Sequence, residues 1–226
     1  MRSKIFTQQM YSSIEECVIQ TINSSYNIVN DNSLKSPRAV GDAIQQLLEE
    51  RFSSFLPQKL LKEYNSAFAR RAMADFAFQD NDGFCYVVDN KTHNMETAFN
   101  MPNLTSVERL SRFYEDYHNY FTLLIVAYET SKSRINANYC HFLPIEHLSW
   151  SCLTIGALGW GQIQIANSNN IIIDRAQTRK SWMLSLCDRL AEFYPKEIAK
   201  IHSRISHFEK IKEYWLQQED YSVLLN

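Results

Sequence analysis

Two aspartates and a lysine have a spacing that suits the chemistry of phosphodiester bonds. Asp75 lies in the segment ADFAFQDNDGF, and Asp89 and Lys91 follow two valines in the segment VVDNKTHN. Side chains alternate along a strand, so Asp89 and Lys91 project from the same face. If a hairpin turns near Asp82, antiparallel partners have residue numbers that sum to about 164, which sets Asp75 opposite Asp89. The three functional groups are therefore predicted to converge.

Such a group of charges predicts a metal site. Two neighbouring carboxylates repel each other, and one lysine does not relieve both, so a divalent cation between Asp75 and Asp89 would explain the pattern. Mg²⁺ prefers oxygen ligands, keeps several waters and can both activate a water and neutralise charge on a phosphate. Lys91 would orient or help to deprotonate that water and offset charge on the phosphate. The predicted chemistry is hydrolysis of a phosphodiester bond.

The elements around the three residues match a known arrangement. The spacing D-x₁₃-D-x-K, here Asp75, Asp89 and Lys91, resembles the PD-(D/E)xK nuclease signature, with Ala74 in place of its proline. In that family a helix precedes a strand-turn-strand unit, and RAVGDAIQQLLEERF precedes the hairpin here. The resemblance extends to type II restriction endonucleases over residues 36–130 and in FLPIEHLSW and GWGQIQI. It implies a homodimer that cleaves a palindrome in double-stranded DNA with Mg²⁺.

The resemblance also implies further ligands. The backbone carbonyl of Asn90 would complete the metal site, and a helix acid, Asp42, Glu49 or Glu50, supplements it in some members. A solvated helix face is the simpler role for these three acids. Two other functions stay open: a structure-specific repair or junction nuclease with the same core, and a non-catalytic binding or scaffold domain in which the acids are surface charges near a turn.

Asparagine and glutamine residues predict how DNA would be read. Their amides pair in bidentate fashion with adenine, which favours an A·T-rich target. The candidates fall in two regions, residues 94–106 and 160–180. For any single one of them, a turn or surface position is the simpler explanation. The candidate DNA-binding residues are Asn94, Asn100, Asn103, Gln162, Gln164, Asn167, Asn169 and Asn170.

Composition sets the broad class. The chain has 226 residues and is 45% hydrophobic, which predicts a single globular domain over residues 1–226, and the resemblance implies that it is a nuclease domain. The formal net charge of −2 lacks the basic total of a generic nucleic-acid binder. No signal-peptide pattern and no long apolar stretch occur, so we expect a cytoplasmic protein without a membrane partner. The scattered cysteines favour reduced thiols. No GxGxxG or GK[ST] pattern occurs, so no nucleotide cofactor is expected.

Periodicity predicts the elements that position the site. Apolar residues at helical spacing indicate helices before residue 23, in residues 38–52, after Pro57 (Leu61, Tyr64 and Phe68 inward), near residues 105–117 and, as C-terminal helices, over residues 180–219. The hairpin, FTLLIVAYE, QIQIA and NIIID are predicted strands, and ETSKSRINANY is a predicted loop. The expected fold class is α/β, or α+β, with a central mixed β-sheet flanked by helices. The resemblance implies a restriction-endonuclease-like core over residues 36–130.

Overall fold

A mixed five-stranded sheet contains the predicted hairpin. The computed structural model of the protein describes residues 3–25, 36–66, 74–131 and 134–220. Strands β3 (Cys85–Asn94) and β5 (Asn119–Ser131) run parallel in the middle of the sheet, and all other neighbouring strands of the sheet are antiparallel. The prediction of a central mixed sheet flanked by helices is confirmed. The order along the sheet is β1 (Leu61–Asn65), β2 (Phe76–Asp80), β3 (Cys85–Asn94), β5 (Asn119–Ser131) and β6 (Arg134–Pro144).

The hairpin of β2 and β3 has the predicted register. Phe76 pairs with Val88 and Phe78 with Tyr86, so the partners' residue numbers sum to 164. Asp80 closes the turn, because its Oδ1 accepts hydrogen bonds from the backbone N–H of Asp82 (3.0 Å) and that of Phe84 (2.9 Å). Its Oδ2 accepts a further bond of 2.6 Å from the Tyr86 hydroxyl. These bonds fix the position of the turn and, with it, the register of both strands.

Two N-terminal helices contribute apolar side chains to the core cluster, and both were predicted. Helix α1 (Gln8–Ser24) buries Ile14, Val18 and Ile22, and helix α2 (Pro37–Arg51) buries Val40, Ile44 and Leu48. Helix α2 begins where Ser36 accepts a hydrogen bond from the Ala39 N–H, with Pro37 in the first turn. Both helices share the core cluster with the aromatic face of the hairpin.

The structure contradicts the predicted helix after Pro57 and the predicted loop ETSKSRINANY. Leu61–Asn65 forms the edge strand β1, which pairs with β2 instead of forming a helix, and Phe68 lies outside the described residues. The predicted loop ETSKSRINANY contains the start of β6. There Ile135 and Ala137 are buried while Arg134, Asn136 and Asn138 are exposed, which is the alternation of a strand with one solvated face. The sequence predicted a loop because the exposed residues at the start of β6 are polar.

A second, three-stranded sheet contains parts of both predicted DNA-reading regions. It has the order β4 (Asn103–Ser106), β8 (Gln162–Ile165) and β7 (Leu153–Gly156), and the short helix α3 (Val107–Phe113) follows β4 directly. The predicted strand QIQIA is confirmed as β8. The predicted strand NIIID was wrong, since only Ile173 forms a bridge, with Leu148. Strand β8 pairs with β4 on one edge and with β7 on the other, so NIIID cannot form a hairpin with QIQIA.

The chain divides into two compact units, the first ending at Arg179 and the second beginning at Lys180. The second consists largely of one helix, α4 (Arg179–Leu216), which continues through Pro195 where several helices were expected. In the ranges that the structure describes, no helix is both long and apolar enough to cross a membrane.

The aromatic core under the hairpin yields a stability prediction. The Phe52 ring is fully buried, with ring centroids 4.7 Å from Phe76 and 5.5 Å from Phe142. We expect Phe52→Ala to lower the free energy of unfolding by about 3–5 kcal/mol, because it leaves a cavity in a packed core. Urea titration measures the change. Phe99→Ala is the matched control, since Phe99 is 58% exposed; an equal loss in both variants would contradict the assignment of this core.

Candidate active site

Asp75 and Asp89 line the same cleft. It has a volume of about 600 Å³, and the end of the hairpin forms one wall while the small sheet and helix α3 form the other. Both acids therefore face a space that is large enough for a phosphate group and water. Besides Ala74 and the two aspartates, the cleft is lined by Leu104, Thr105, Ser106, Glu108, Arg109, Leu158, Gly159 and Gln162.

Asp89 is a buried carboxylate with one cationic neighbour. It is only 6% exposed, and the Lys91 ammonium lies 2.9 Å from each of its two oxygens. Burial raises the pKa of Asp89 to about 7; the Lys91 charge opposes this shift, and the charge of Asp75 adds to it. The carboxylate is therefore poised between its neutral and charged forms near neutral pH.

Asp75 is held by the hairpin and by helix α2. Its backbone N–H donates to the Val88 carbonyl (2.8 Å), which extends the pairing of the strands. Its Oδ2 accepts a hydrogen bond of 2.6 Å from the backbone N–H of Asn90, and its Oδ1 accepts one of 2.9 Å from Gln45 Nε2. Burial raises the pKa of Asp75, while the bond from Asn90 and the charge of Lys91 lower it. The structure thus brings all three predicted residues into electrostatic contact.

The donor set of the cleft suits Mg²⁺ with retained waters. In the described part of the chain, no group of three or more His, Cys, Asp or Glu residues is arranged to hold a metal. Two carboxylates are nevertheless enough for Mg²⁺, which takes one or two from a protein and keeps water in its other positions. Among the described residues, the Lys91 ammonium at 2.9 Å is the only partner of the buried Asp89 Oδ2, so a cation could share this oxygen with Lys91. The Asn90 carbonyl stays a predicted ligand.

The three acids of helix α2 differ in how they are connected to the two aspartates. Gln45 donates both to Asp75 and to Glu49 Oε1 (2.8 Å), so Glu49 is connected to the aspartates through one amide. Glu50 accepts a bond from Gln46 in an exposed pair, and Asp42 lines a neighbouring cavity. Sequence reasoning missed Gln45, which lies outside the buried apolar stripe of helix α2. Periodicity gives no signal for such a role.

Sequence reasoning also missed Thr105 and Arg109, which lie on the wall opposite the aspartates. The Thr105 hydroxyl is buried without a hydrogen-bond partner, and the Arg109 side chain is exposed at the cleft. Within the described residues, no carboxylate lies at ion-pair distance from Arg109. A guanidinium and a hydroxyl across from two acids can both donate to a phosphate. No sequence motif connects this helix to the hairpin.

Three of the predicted DNA-binding residues lie near the aspartates or Lys91. Gln162 lines the cleft itself. Asn94 and Asn100 line an adjacent cavity of about 400 Å³, together with Asn90 and Lys91. The amides of Asn94 and Asn100 therefore lie around the end of the strand that carries Asp89 and Lys91.

The other predicted DNA-binding residues hold the local structure together or lie at a turn. Gln164 Nε2 donates to Asn103 Oδ1 across two paired strands (2.6 Å), and the Asn167 side chain accepts the N–H of Asn169. Asn169 contacts His93 (2.7 Å) and donates to the carbonyls of two loop residues. Asn170 is exposed, and its backbone N–H closes the turn to Asn167. His93 is buried, with this contact to Asn169.

No family model matches the chain, and no curated protein matches it. The inference of function therefore depends on the chemistry of the cleft.

The raised pKa of Asp89 predicts a dependence of stability on pH without metal. Its pKa is about 7 in the folded protein and 3.8 ordinarily, so the folded state keeps a proton that the unfolded state releases. This contribution to stability is full below pH ~4 and is lost as the pH rises through about 7. At pH ~8 we expect Asp89→Asn to raise the free energy of unfolding by on the order of 1–4 kcal/mol.

The measurement is urea titration of both proteins in EDTA at about pH 5 and pH 8, with the difference between variant and wild type compared. Asp42→Asn, which removes an exposed carboxylate, is the control and should give no such pH-dependent difference. A difference for Asp89→Asn that does not grow with pH would show that this carboxylate is not held in its neutral form by burial.

Proposed function

We propose that the protein is a Mg²⁺-dependent, sequence-specific DNA endonuclease of the type II restriction class, built on a restriction-endonuclease-like core. One observation carries the proposal: the buried Asp89, paired with Lys91 and electrostatically coupled to Asp75, lines a cleft open to solvent. Two acids and one ammonium leave an excess negative charge in a buried place. A structural ion pair has no need of the second acid.

The residues of the cleft have distinct roles in the proposed reaction. Asp75 and Asp89 would hold the cation, which supplies charge neutralisation and an activated water. Hydrogen bonds from Asn90 and Gln45 orient the Asp75 carboxylate. The Lys91 ammonium lies 2.9 Å from Asp89, and its charge would orient the water and offset the charge that develops on the phosphate. Water adds to the phosphorus, the bond to the leaving oxygen breaks, and the leaving oxygen takes up a proton.

The proposed substrate is a palindromic, A·T-rich site in double-stranded DNA, cut by a homodimer with one cleft for each strand. Gln162 supports this substrate because its amide lies in the same cleft as the two acids. Amide side chains suit adenine, and Arg109 offers a charge for the DNA backbone beside the reacting phosphate.

Digestion of phage genomic DNA tests the proposal. With Mg²⁺ we expect discrete, reproducible fragments whose sequenced ends define one site, and no cleavage in EDTA. Lys91→Ala and Asp89→Ala should each lower the cleavage rate by several orders of magnitude, because each removes a group from the reacting centre. Lys62→Ala removes an exposed lysine of β1 and should cleave like the wild type.

The other outcomes distinguish the alternatives. A smear, or cleavage confined to branched or damaged DNA, would favour a structure-specific nuclease with the same cleft. DNA binding without Mg²⁺-dependent cleavage, unchanged by Lys91→Ala, would favour a non-catalytic binding domain and would contradict the proposed reaction.

Metal binding gives a test that does not depend on finding the substrate. Since the pKa of Asp89 is about 7, a proton competes with the cation below that pH. We expect MgCl₂ to raise the melting temperature more at pH ~8 than at pH ~6, relative to NaCl of equal ionic strength. Asp89→Asn should abolish the Mg²⁺ effect. An equal Mg²⁺ effect in wild type and variant would place the cation elsewhere.

A further inference from the structure

Helix α4 carries a heptad repeat that the proposed nuclease chemistry does not use. From Leu184 to Trp215, apolar residues recur at alternating spacings of three and four, the pattern of a and d positions in a coiled coil. Lys212 occupies the last a position. The a positions are Leu184, Ala191, Ile198, Ile205 and Lys212, and the d positions are Cys187, Tyr194, Ile201, Phe208 and Trp215.

The seam formed by these a and d residues faces solvent. Ile198, Ile201 and Ile205 are each about half exposed (53%, 48% and 51%), and Phe208 and Trp215 are exposed to 67% and 65%. A continuous apolar stripe of this length in water is unfavourable, and such stripes mark interaction surfaces. A helix that only packed within its own chain would keep such a stripe covered.

The sequence of the seam suits a second copy of the same helix. A spacing of 3.5 residues per repeat keeps two supercoiled helices in contact along their whole length, which a single globular partner does not require. The lysine at an a position, Lys212, is a polar residue of the kind that specifies register and the number of strands in a coiled coil.

Charges beside the seam are complementary to those of a second copy. Arg204 lies at a g position, next to Ile205. In a parallel pair it faces Glu209, at an e position of the second copy. In an antiparallel pair with the seams fully overlapped it faces Glu197, at a g position of the second copy. Arg204 therefore meets a carboxylate in either orientation.

We propose that the heptad seam of helix α4 is the surface through which two copies of this chain form a two-stranded coiled coil. The inference stands on the repeat, its exposure and its charges, and it does not rest on the proposed nuclease function. If the nuclease proposal also holds, this surface joins the two clefts into one enzyme.

Sedimentation of the full chain, without DNA or Mg²⁺, tests the proposal. At micromolar concentration we expect twice the chain mass of 26.5 kDa. Ile201→Asp with Ile205→Asp should shift the dissociation constant by about 100-fold or more toward monomer, because it sets charges at the centre of the seam. Ser203→Asp with Ser206→Asp, on the opposite side of the helix, adds the same charges and should remain dimeric.

Charge reversal provides the second test. Arg204→Glu should weaken the dimer a few-fold, the size expected for an exposed ion pair. Adding Glu197→Arg and Glu209→Arg should restore it, since the exchanged charges again pair in either orientation. Far-UV circular dichroism confirms that each variant is folded.

The proposal is wrong if the wild type is a monomer. It is also wrong if the variant Ile201→Asp with Ile205→Asp remains a dimer. Because no substrate is present, neither result bears on the nuclease activity, and loss of that activity alone would leave the dimer surface intact.

Discussion

Burial of the Asp89 carboxylate is the constraint on which the candidate site depends. A charged carboxylate out of water is strongly disfavoured unless a partner compensates it. Lys91 compensates part of this energy, and Asp75 adds repulsion, so the raised pKa of Asp89 measures what remains uncompensated. A purely structural ion pair between Asp89 and Lys91 does not require a second acid beside Asp89. The same imbalance makes a cation with two positive charges a favourable occupant, and it explains why both acids face a cleft.

The hairpin register is what holds the acids in that position. Because side chains alternate, a slip of one residue in β3 would turn Asp89 into the core and Tyr86 toward the cleft, and a slip in β2 would do the same to Asp75 and Phe76. The Phe78 and Tyr86 rings stack with centroids 4.4 Å apart on the opposite face, and Phe52 packs against that face. Every aromatic contact in the core therefore also stabilises the register of Asp75 and Asp89. The parallel pairing of β3 with β5 fixes the other edge of β3, so the end of β3 cannot shift independently.

The features that the sequence predicted are those encoded locally. The hairpin, its register and helices α1 and α2 follow from periodicity and from a short turn, and the positions of Asp75, Asp89 and Lys91 follow from them. Strand β1 and the start of β6 were missed because pairing with a distant neighbour, and not local composition, determines them. Gln45, Thr105 and Arg109 were missed for the same reason: each reaches the cleft only through the packing of a separate element. The exposure of the α4 seam is likewise a tertiary property, since an apolar stripe has the same spacing whether it is covered or not.

Readout of bases requires amides whose hydrogen-bonding groups are available. Gln164 and Asn103 pair with each other, and Gly156 leaves room for that pair, because a Cβ there would lie 2.8 Å from the Gln164 side chain. Asn169 holds two stretches of loop together. An amide that already forms hydrogen bonds within the protein would have to break them to contact a base. The free energy lost in this way offsets the free energy gained from the hydrogen bonds to the base. Among the described residues the side chains of Gln162 and Asn100 have no such partners; Gln162 lines the cleft of the two aspartates, and Asn100 lines the adjacent cavity with Lys91. If the proposed function holds, these two amides are the best placed to discriminate adenine, and recognition and chemistry would share one end of strand β3.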